Sequence, residues 1–344
     1  MCGQDHSGGK ELDLAQIEMI AGRLQALGSR HLVITGGEPF VRKDLPQIIE
    51  IFKNHGFSIR IQTNGGKQVT EEFFVRCVKA GMQDVSVSID TLNPALQDEI
   101  CQGRDVVQNA IRTLKLARKY LPKSISLANI VASAYNFEEL PELVRYFNEL
   151  GVYTYITPVM ISTDHLAEPE YLFRSNHQGF IQDNMHPEND RVVDELIELR
   201  KDGYGLTNST RHLLDYKEFL QTGVSTWRCE AGTLGLDVLP DGAVTICKEK
   251  PPFGSILDEN FTETYYSKAF NEESDRVISA CSGCFYGEYR EPQYVIRHVD
   301  VLAEWVLDYL HTFHSGMNFN HETKPGHSSN IDGSEKNPVG TENN

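Results

Sequence analysis

The stretch HLVITGGEPFVRKDL, residues 31–45, decides how this chain is read. Leu32, Val33 and Ile34 form a short apolar run of strand length, and two glycines end it. A backbone without Cβ atoms at a strand end lets a ligand approach the sheet edge and bond to peptide groups directly. Glu38 sets a carboxylate beside those groups, suited to an ammonium, and Pro39 fixes the exit from the strand. Arg42, Asp44 and Leu45 then open a helical pattern.

Outward from this stretch, short β-branched runs alternate with helical periods from Leu12 to Ile161. The spacing predicts strands at HLVITGG (31–37), SIRIQTNG (58–65), DVSVSID (84–90), SISLANIVA (124–132) and YTYITPVMI (153–161). A helix-like segment precedes each one: LDLAQIEMIAGRLQALG (12–28), with Gly28 as its stop, then about 44–55, 70–80, 104–120 and 137–150. Successive βα units mean an α/β fold with a parallel sheet, either doubly wound and open or closed into most of a barrel. Polar residues gather at the strand ends, namely Glu38, Asn64, Asp90 and, just after the fourth strand, Asn136. Parallel α/β folds bind their ligands at that edge.

Bulk properties narrow the function. The 344 residues carry a net charge of −17, from 49 acidic against 32 basic side chains, which speaks against binding a nucleic-acid backbone. No apolar run reaches the roughly 18 residues of a membrane span, and no secretory pattern opens the sequence. The expectation is a cytoplasmic chain with neither a membrane nor a nucleic-acid partner. Seven cysteines in that setting point to metal or redox use before disulfides.

Four of the cysteines fall together in the last third. Cys229 opens CEAG, Cys247 ends the hairpin pattern LGLDVLPDGAVTIC (234–247), and Cys281 and Cys284 form CSGC. Thiolates from a hairpin and a CxxC loop can close a tetrahedral zinc site or hold a four-iron cluster, and spacing alone does not separate the two. Cys77 and Cys101 lie on expected helices and read as idle thiols. His177, His186 and His212 show no metal-pair spacing. Tyr286, Glu288 and Arg290, beside the CxxC, either line a site or form a solvated loop. Further helices are expected at RVVDELIELRKDG (191–203), HLLDYKEFLQTG (212–223) and 299–313, and the tail rich in Asn, Gly, Ser and Pro is expected to be disordered.

TGGEP (35–39), followed by Arg42-x-Asp44-Leu45, resembles the methionine-binding motif of the radical S-adenosylmethionine (SAM) superfamily. The resemblance implies a partial (β/α)6 TIM-like barrel whose first strand would precede this chain. It implies that Gly36, Gly37, Glu38 and Pro39 hold the amino end of S-adenosyl-L-methionine. IQTNG resembles the next strand, bringing in Asn64, and VSVSID the one after, where Ser88 and Asp90 would contact the ribose. MCG at the start resembles the end of the CxxxCxxC motif. Cys2 would then be the third ligand of the catalytic 4Fe-4S cluster, and a chain without the first two is expected to lack that cluster and its activity.

The order CxxG, GxxxxC, CxxC resembles the C-terminal twitch or SPASM extension of the same superfamily, and PFGSILDENFTETYYS (252–267) resembles its connecting segment. No cysteine follows Cys284, so the resemblance implies one auxiliary 4Fe-4S cluster on Cys229, Cys247, Cys281 and Cys284. The implied enzyme generates a 5'-deoxyadenosyl radical that abstracts hydrogen from a peptide side chain or small metabolite, fed by a flavodoxin- or ferredoxin-like electron donor. The resemblance assigns no catalytic side chain. The expected division is a barrel over 1–222, an auxiliary unit with its C-terminal helix over 223–313, and a tail over 314–344. A non-catalytic barrel with a structural four-Cys zinc site is the competing reading. A dehydrogenase is disfavoured because no GxGxxG follows an early strand.

Overall fold

The computed structural model describes residues 11–159, 189–222, 227, 229–248, 250–281 and 283–315, with side chains to 310. In chain order, the first part runs α1 (Leu14–Ala26), β1 (His31–Ile34), α2 (Leu45–Asn54), β2 (Ser58–Thr63), α3 (Glu71–Ala80), β3 (Asp84–Ser88), α4 (Pro94–Cys101), α5 (Val106–Tyr120), β4 (Leu127–Ala132), α6 (Leu140–Glu149) and β5 (Tyr153–Pro158). Then follow α7 (Asn189–Lys201), α8 (Thr210–Thr222), β6 (Asp237–Val238), β7 (Ala243–Thr245), β8 (Gly254–Ser255), α9 (Phe261–Tyr265), α10 (Lys268–Ser279), α11 (Gly287–Arg297) and α12 (Val299–Ser315). Cys2, His177, His186 and the tail beyond 315 lie outside the described residues.

Local chemistry explains the boundaries. Asp13 caps α1 by accepting the Gln16 N–H at 2.9 Å, while the Gln16 side chain accepts the Asp13 N–H at 3.0 Å. The helix stops at Gly28, whose φ of +86° suits a glycine. Strands β1 to β5 form one parallel sheet in the order β1-β2-β3-β4-β5. A doubly wound sheet reverses its strand order partway, so this sequential order settles the choice in favour of a partial barrel. Gly205 to Thr207 continues it past β5. The Thr154 N–H reaches the Gly205 carbonyl at 2.7 Å and the Thr207 N–H reaches the Thr154 carbonyl at 2.8 Å.

Alternation along the strands sorts the two faces. Ile59, Ile61, Val85, Val87 and Ile89 are completely buried, each contributing about 1.5–3 kcal/mol. Of the alternate residues, which share the opposite, luminal face, Arg60, Gln62, Asp84 and Ser88 are half-buried and Ser86 is buried.

Several elements depart from expectation, α9, α10 and β8 among them, and three have a clear local cause. β4 starts at Leu127 rather than Ser124, because Ser124 and Ser126 hydrogen-bond to each other at 2.7 Å and the Ser124 hydroxyl accepts the Ser126 N–H at 3.2 Å. Helix α4 gives Cys101 the helical setting expected of it, though its bounds were not; Asn93 caps it through the N–H groups of Ala95 and Leu96, and Pro94 takes its first turn. The stretch after the CxxC, which could have been a solvated loop, is helix α11, with Pro292 inside it.

The late hairpin forms as the turn chemistry suggests, with Gly242 at φ +86°, and gains a third antiparallel strand, β8. This small sheet packs against the barrel. Val244, Ile256, Phe261 and Phe285 belong to the same buried cluster as the barrel core. Arg23 of α1 donates to the Ile256 carbonyl, and the Ser209 N–H donates to Glu291 of α11 at 3.0 Å. Among the described residues no helix is long and apolar enough to cross a membrane.

Candidate functional site: a strand-end ligand edge and a four-thiol pocket

At the C-terminal edge of the sheet, Gly36 adopts φ +129°, and a Cβ there would meet nothing within 4 Å. Backbone conformation, not crowding, therefore demands the glycine. Glu38 begins the short 3-10 turn Pro39–Val41, and its carboxylate is fully engaged by the chain. One oxygen accepts the Phe40 N–H at 3.0 Å and the Thr63 hydroxyl at 2.7 Å, and the other accepts the Asn64 N–H at 2.8 Å. Glu38 thus ties the end of β1 to the end of β2. Phe40 anchors the turn between Phe73 and Phe74, with ring centroids 5.9 and 6.3 Å away.

Arg42 and Asp44 serve the frame rather than the edge. They pair at 2.8 and 3.0 Å, Arg42 also donates to the Leu12 carbonyl at 3.0 Å, and this pairing holds the Asp44 carboxyl below its usual range.

Asn64 joins the same edge with an exposed side chain, whose oxygen accepts the Gly66 N–H and the Gln68 amide, both at 2.8 Å. Ser88 ends β3 half-buried and stands in register with Asn129 of β4, which is in register with Tyr155 of β5. In-register residues of parallel strands share a face, so Ser88, Asn129 and Tyr155 form a polar row along the lumen. The sequence reading missed Asn129 and Tyr155. The signal was a single asparagine in the aliphatic run LANIVA, alternating with fully buried Ala128 and Ile130.

Asp90 is placed differently. It is 7% exposed, one oxygen accepts the Val131 N–H at 2.8 Å, and burial pushes its carboxyl up to about 6. Around it, Asn136 donates to the carbonyls of Asp90 at 2.6 Å and Val131 at 3.0 Å, and the Gln97 side chain accepts the N–H groups of Asp90 and Thr91. Asn136 is therefore a staple between the ends of β3 and β4.

The four late cysteines are free thiols of intermediate burial. Burial raises the Cys284 thiol above its usual range, helped by the charges of Cys247, Cys229 and Cys281; burial also raises Cys229, with Cys281 adding to the effect. The sulfurs thus lie within electrostatic reach of one another. Backbone N–H groups point at three of them: Ala231 to Cys229 at 3.3 Å, Gly283 to Cys281 at 3.4 Å, and Tyr286 to Cys284. Such donors stabilise electron-rich sulfur. No group of three or more His, Cys, Asp or Glu among the described residues is arranged to hold a single metal ion. The four thiols are therefore near enough to influence one another's charge without forming a closed single-ion site.

Aromatic residues wall the pocket. Trp227 donates its indole N–H to the Cys284 carbonyl at 2.8 Å, and Tyr289 donates to Asp237 at 2.6 Å while accepting the Lys248 N–H at 3.1 Å. Lys248 lies 3.7 Å above the Tyr286 ring and pairs with exposed Glu288. Arg290 is 1% exposed, with its guanidinium 3.7 Å from the Phe285 ring. Between this wall and the barrel, fully buried His212 faces Glu291 at 3.0 Å. Cys77 is fully buried and Cys101 exposed, both far from this pocket in sequence.

Comparison with known proteins agrees with this architecture. Residues 1–147 match the family model described as "Radical SAM superfamily". A probable GTP 3',8-cyclase of Methanocaldococcus jannaschii is 30% identical over 152 residues, 43% of this chain and 49% of that protein. The chain thus matches about half the length of that curated relative. Streptococcus suis SuiB bound to its precursor peptide SuiA superposes with a TM-score of 0.57 at 16% identity, over 79% of this chain and 63% of SuiB. A structure described as native anSMEcpe with bound AdoMet and Kp18Cys peptide gives 0.54 at 17% identity, over 77% and 74% of the two chains. At such identities the likeness is one of fold. The GGEP edge and most of the sequential parallel sheet lie within residues 1–147, the part of the chain that matches the radical SAM superfamily.

Proposed function

We propose that this chain provides the S-adenosyl-L-methionine-binding barrel for radical SAM chemistry on a peptide side chain or small metabolite, with one auxiliary 4Fe-4S cluster held by the four late thiols. When bound, the catalytic cluster and S-adenosyl-L-methionine supply a 5'-deoxyadenosyl radical that abstracts hydrogen. The chain's own part is positioning. Gly36, Gly37 and Pro39 present peptide groups to the methionine end of the cofactor. Glu38 keeps its carboxylate beside them because Phe40, Thr63 and Asn64 hold both of its oxygens. Asn64 and Ser88 extend the site toward the ribose, Asp90 backs it from between β3 and β4, and Cys2 supplies a ligand to the catalytic cluster.

The observation that carries the reading is the locked Glu38 carboxylate next to a glycine whose backbone no other residue suits. Cys229, Cys247, Cys281 and Cys284 would hold the auxiliary cluster, with N–H···S donors from Ala231 and Gly283 to stabilise the thiolates. A net charge of −17 weighs against a polyanionic substrate such as a nucleoside triphosphate. We assign the electron supply to a flavodoxin- or ferredoxin-like donor, the compartment to the cytoplasm, and the boundary between barrel and auxiliary unit to residues 222 and 223.

Anaerobic reconstitution with iron and sulfide tests the auxiliary site. The expected result is about four irons per chain with a brown charge-transfer band, lost in Cys284→Ser. One zinc per chain and no bound iron would overturn it.

A further inference from the structure

Helix α12 is attached to the body by its polar side. Glu304 pairs with Arg200 at 3.2 Å and accepts the Thr210 N–H at 3.0 Å, Asp308 pairs with Arg200 at 3.1 Å, Asp300 faces Arg211 at 3.7 Å, and Val301 between them is buried. The opposite side is apolar and solvent-exposed. Val299, Leu302, Trp305, Val306, Tyr309 and Leu310 are 82%, 45%, 41%, 47%, 60% and 44% exposed. At about 100° per residue, the centre of this stripe stands roughly 160° around the helix from the acidic, body-facing side. Such an inverted helix is uncommon, because an apolar stripe normally faces its own core.

The stripe has the spacing and size of a helix-pairing seam. Val299, Leu302, Val306 and Tyr309 follow the 3-4-3 interval of a heptad, with Trp305 and Leu310 flanking. The exposed surface of these six residues is on the order of 600 Å², at the upper end of the largest patch on a typical monomer and approaching the ~800 Å² each partner gives to a standard interface.

Charge and composition select the occupant. Residues 299–315 contain no Lys or Arg, whereas interfacial membrane helices are rich in them, and the net charge of −17 opposes an anionic bilayer. The 316–344 segment holds only Met317, Phe319, Ile331 and Val339 as large apolar residues, too few to cover the stripe. A copy of the same stripe is neutral, equally long and complementary in spacing.

We propose that α12 is a self-association surface, on which two copies of this chain pair their α12 helices across a two-fold axis. A two-fold contact sets the same stripe against itself, and the carboxylates of Asp300, Glu304 and Asp308 face away from it toward their own barrel.

Sedimentation velocity of the full chain, from low to high micromolar concentration, tests this. The expected result is a species of twice the 38.8 kDa chain mass, weakened at least roughly tenfold in Val306→Glu. Far-UV circular dichroism should leave the variant's fold unchanged because Val306 is exposed, and Val306→Lys and Tyr309→Ser serve if the glutamate perturbs the helix. A monomer throughout the range would overturn the proposal, as would a dimer indifferent to all three substitutions. So would a monomeric chain that floats with phosphatidylcholine vesicles through this helix.

Discussion

Replacing Asp90 with asparagine tests whether the carboxylate at the end of β3 is held in its charged form at a cost. Burial lifts this carboxyl from 3.8 to about 6, so the folded state holds its proton more tightly than the unfolded chain does. The contribution to stability is full below pH 3.8 and is lost as pH rises through about 6. At about 1.36 kcal/mol per pKa unit, the difference comes to about 3 kcal/mol. Asp90→Asn removes the buried charge, and the new amide oxygen can still accept the Val131 N–H now made at 2.8 Å. The variant should gain about 1–3 kcal/mol at pH 7 and little at pH 4. Urea unfolding of both proteins at those two pH values measures the change, and the wild-type slope between them should flatten in the variant. A loss of more than about 1 kcal/mol at pH 7 would falsify the reasoning, because the charge would then be stabilising. If the gain is observed, the chain retains a carboxylate its fold would do better without, as expected of a group kept for a ligand.

Other substitutions separate backbone demands from contacts. Gly65→Ala should cost about 2–4 kcal/mol, since a residue at φ +67° is strained and its Cβ would stand 2.7 Å from Val87 and 3.0 Å from the Ala110 backbone; a urea midpoint equal to wild type would contradict this. Glu38→Gln turns an amide N–H₂ toward a donor and should lower stability by about 1–3 kcal/mol in the same assay. An unchanged midpoint would mean the carboxylate is not locked as described. Arg200→Ala leaves Glu304 and Asp308 without the cation that holds α12, so limited proteolysis should cut at α12 well before the barrel. Simultaneous digestion of both would count against that role.

Much of the barrel was legible because strand and helix periods are local properties. SIRIQTNG alternates in burial as β2 does, DVSVSID alternates in sequence as a strand should, and Gly28, Gly36 and Gly65 each mark a positive φ. What depends on register was not legible. Ser88 could be placed on a strand, but its row with Asn129 and Tyr155 exists only once three strands are aligned. Asp90 and Asn136 look alike as polar residues near strand ends, yet the Asn136 side chain is consumed by Ser133 and by the carbonyls of Asp90 and Val131. Helix α11 was hidden because its stretch opens on Gly287 and contains Pro292, both poor helix formers, and packing of Tyr289, Arg290 and Glu291 overrides that preference.

The start of α11 leaves no space beside it. A Cβ at Gly287 would overlap the hydroxyl of Tyr155, the last member of the luminal row. The thiol-bearing segment and the barrel are therefore cut to each other like a key and its wards. Transplanting residues 227–297 onto another barrel should succeed only where position 155 is trimmed or position 287 stays glycine, which makes this pair the first thing to inspect in any chimera.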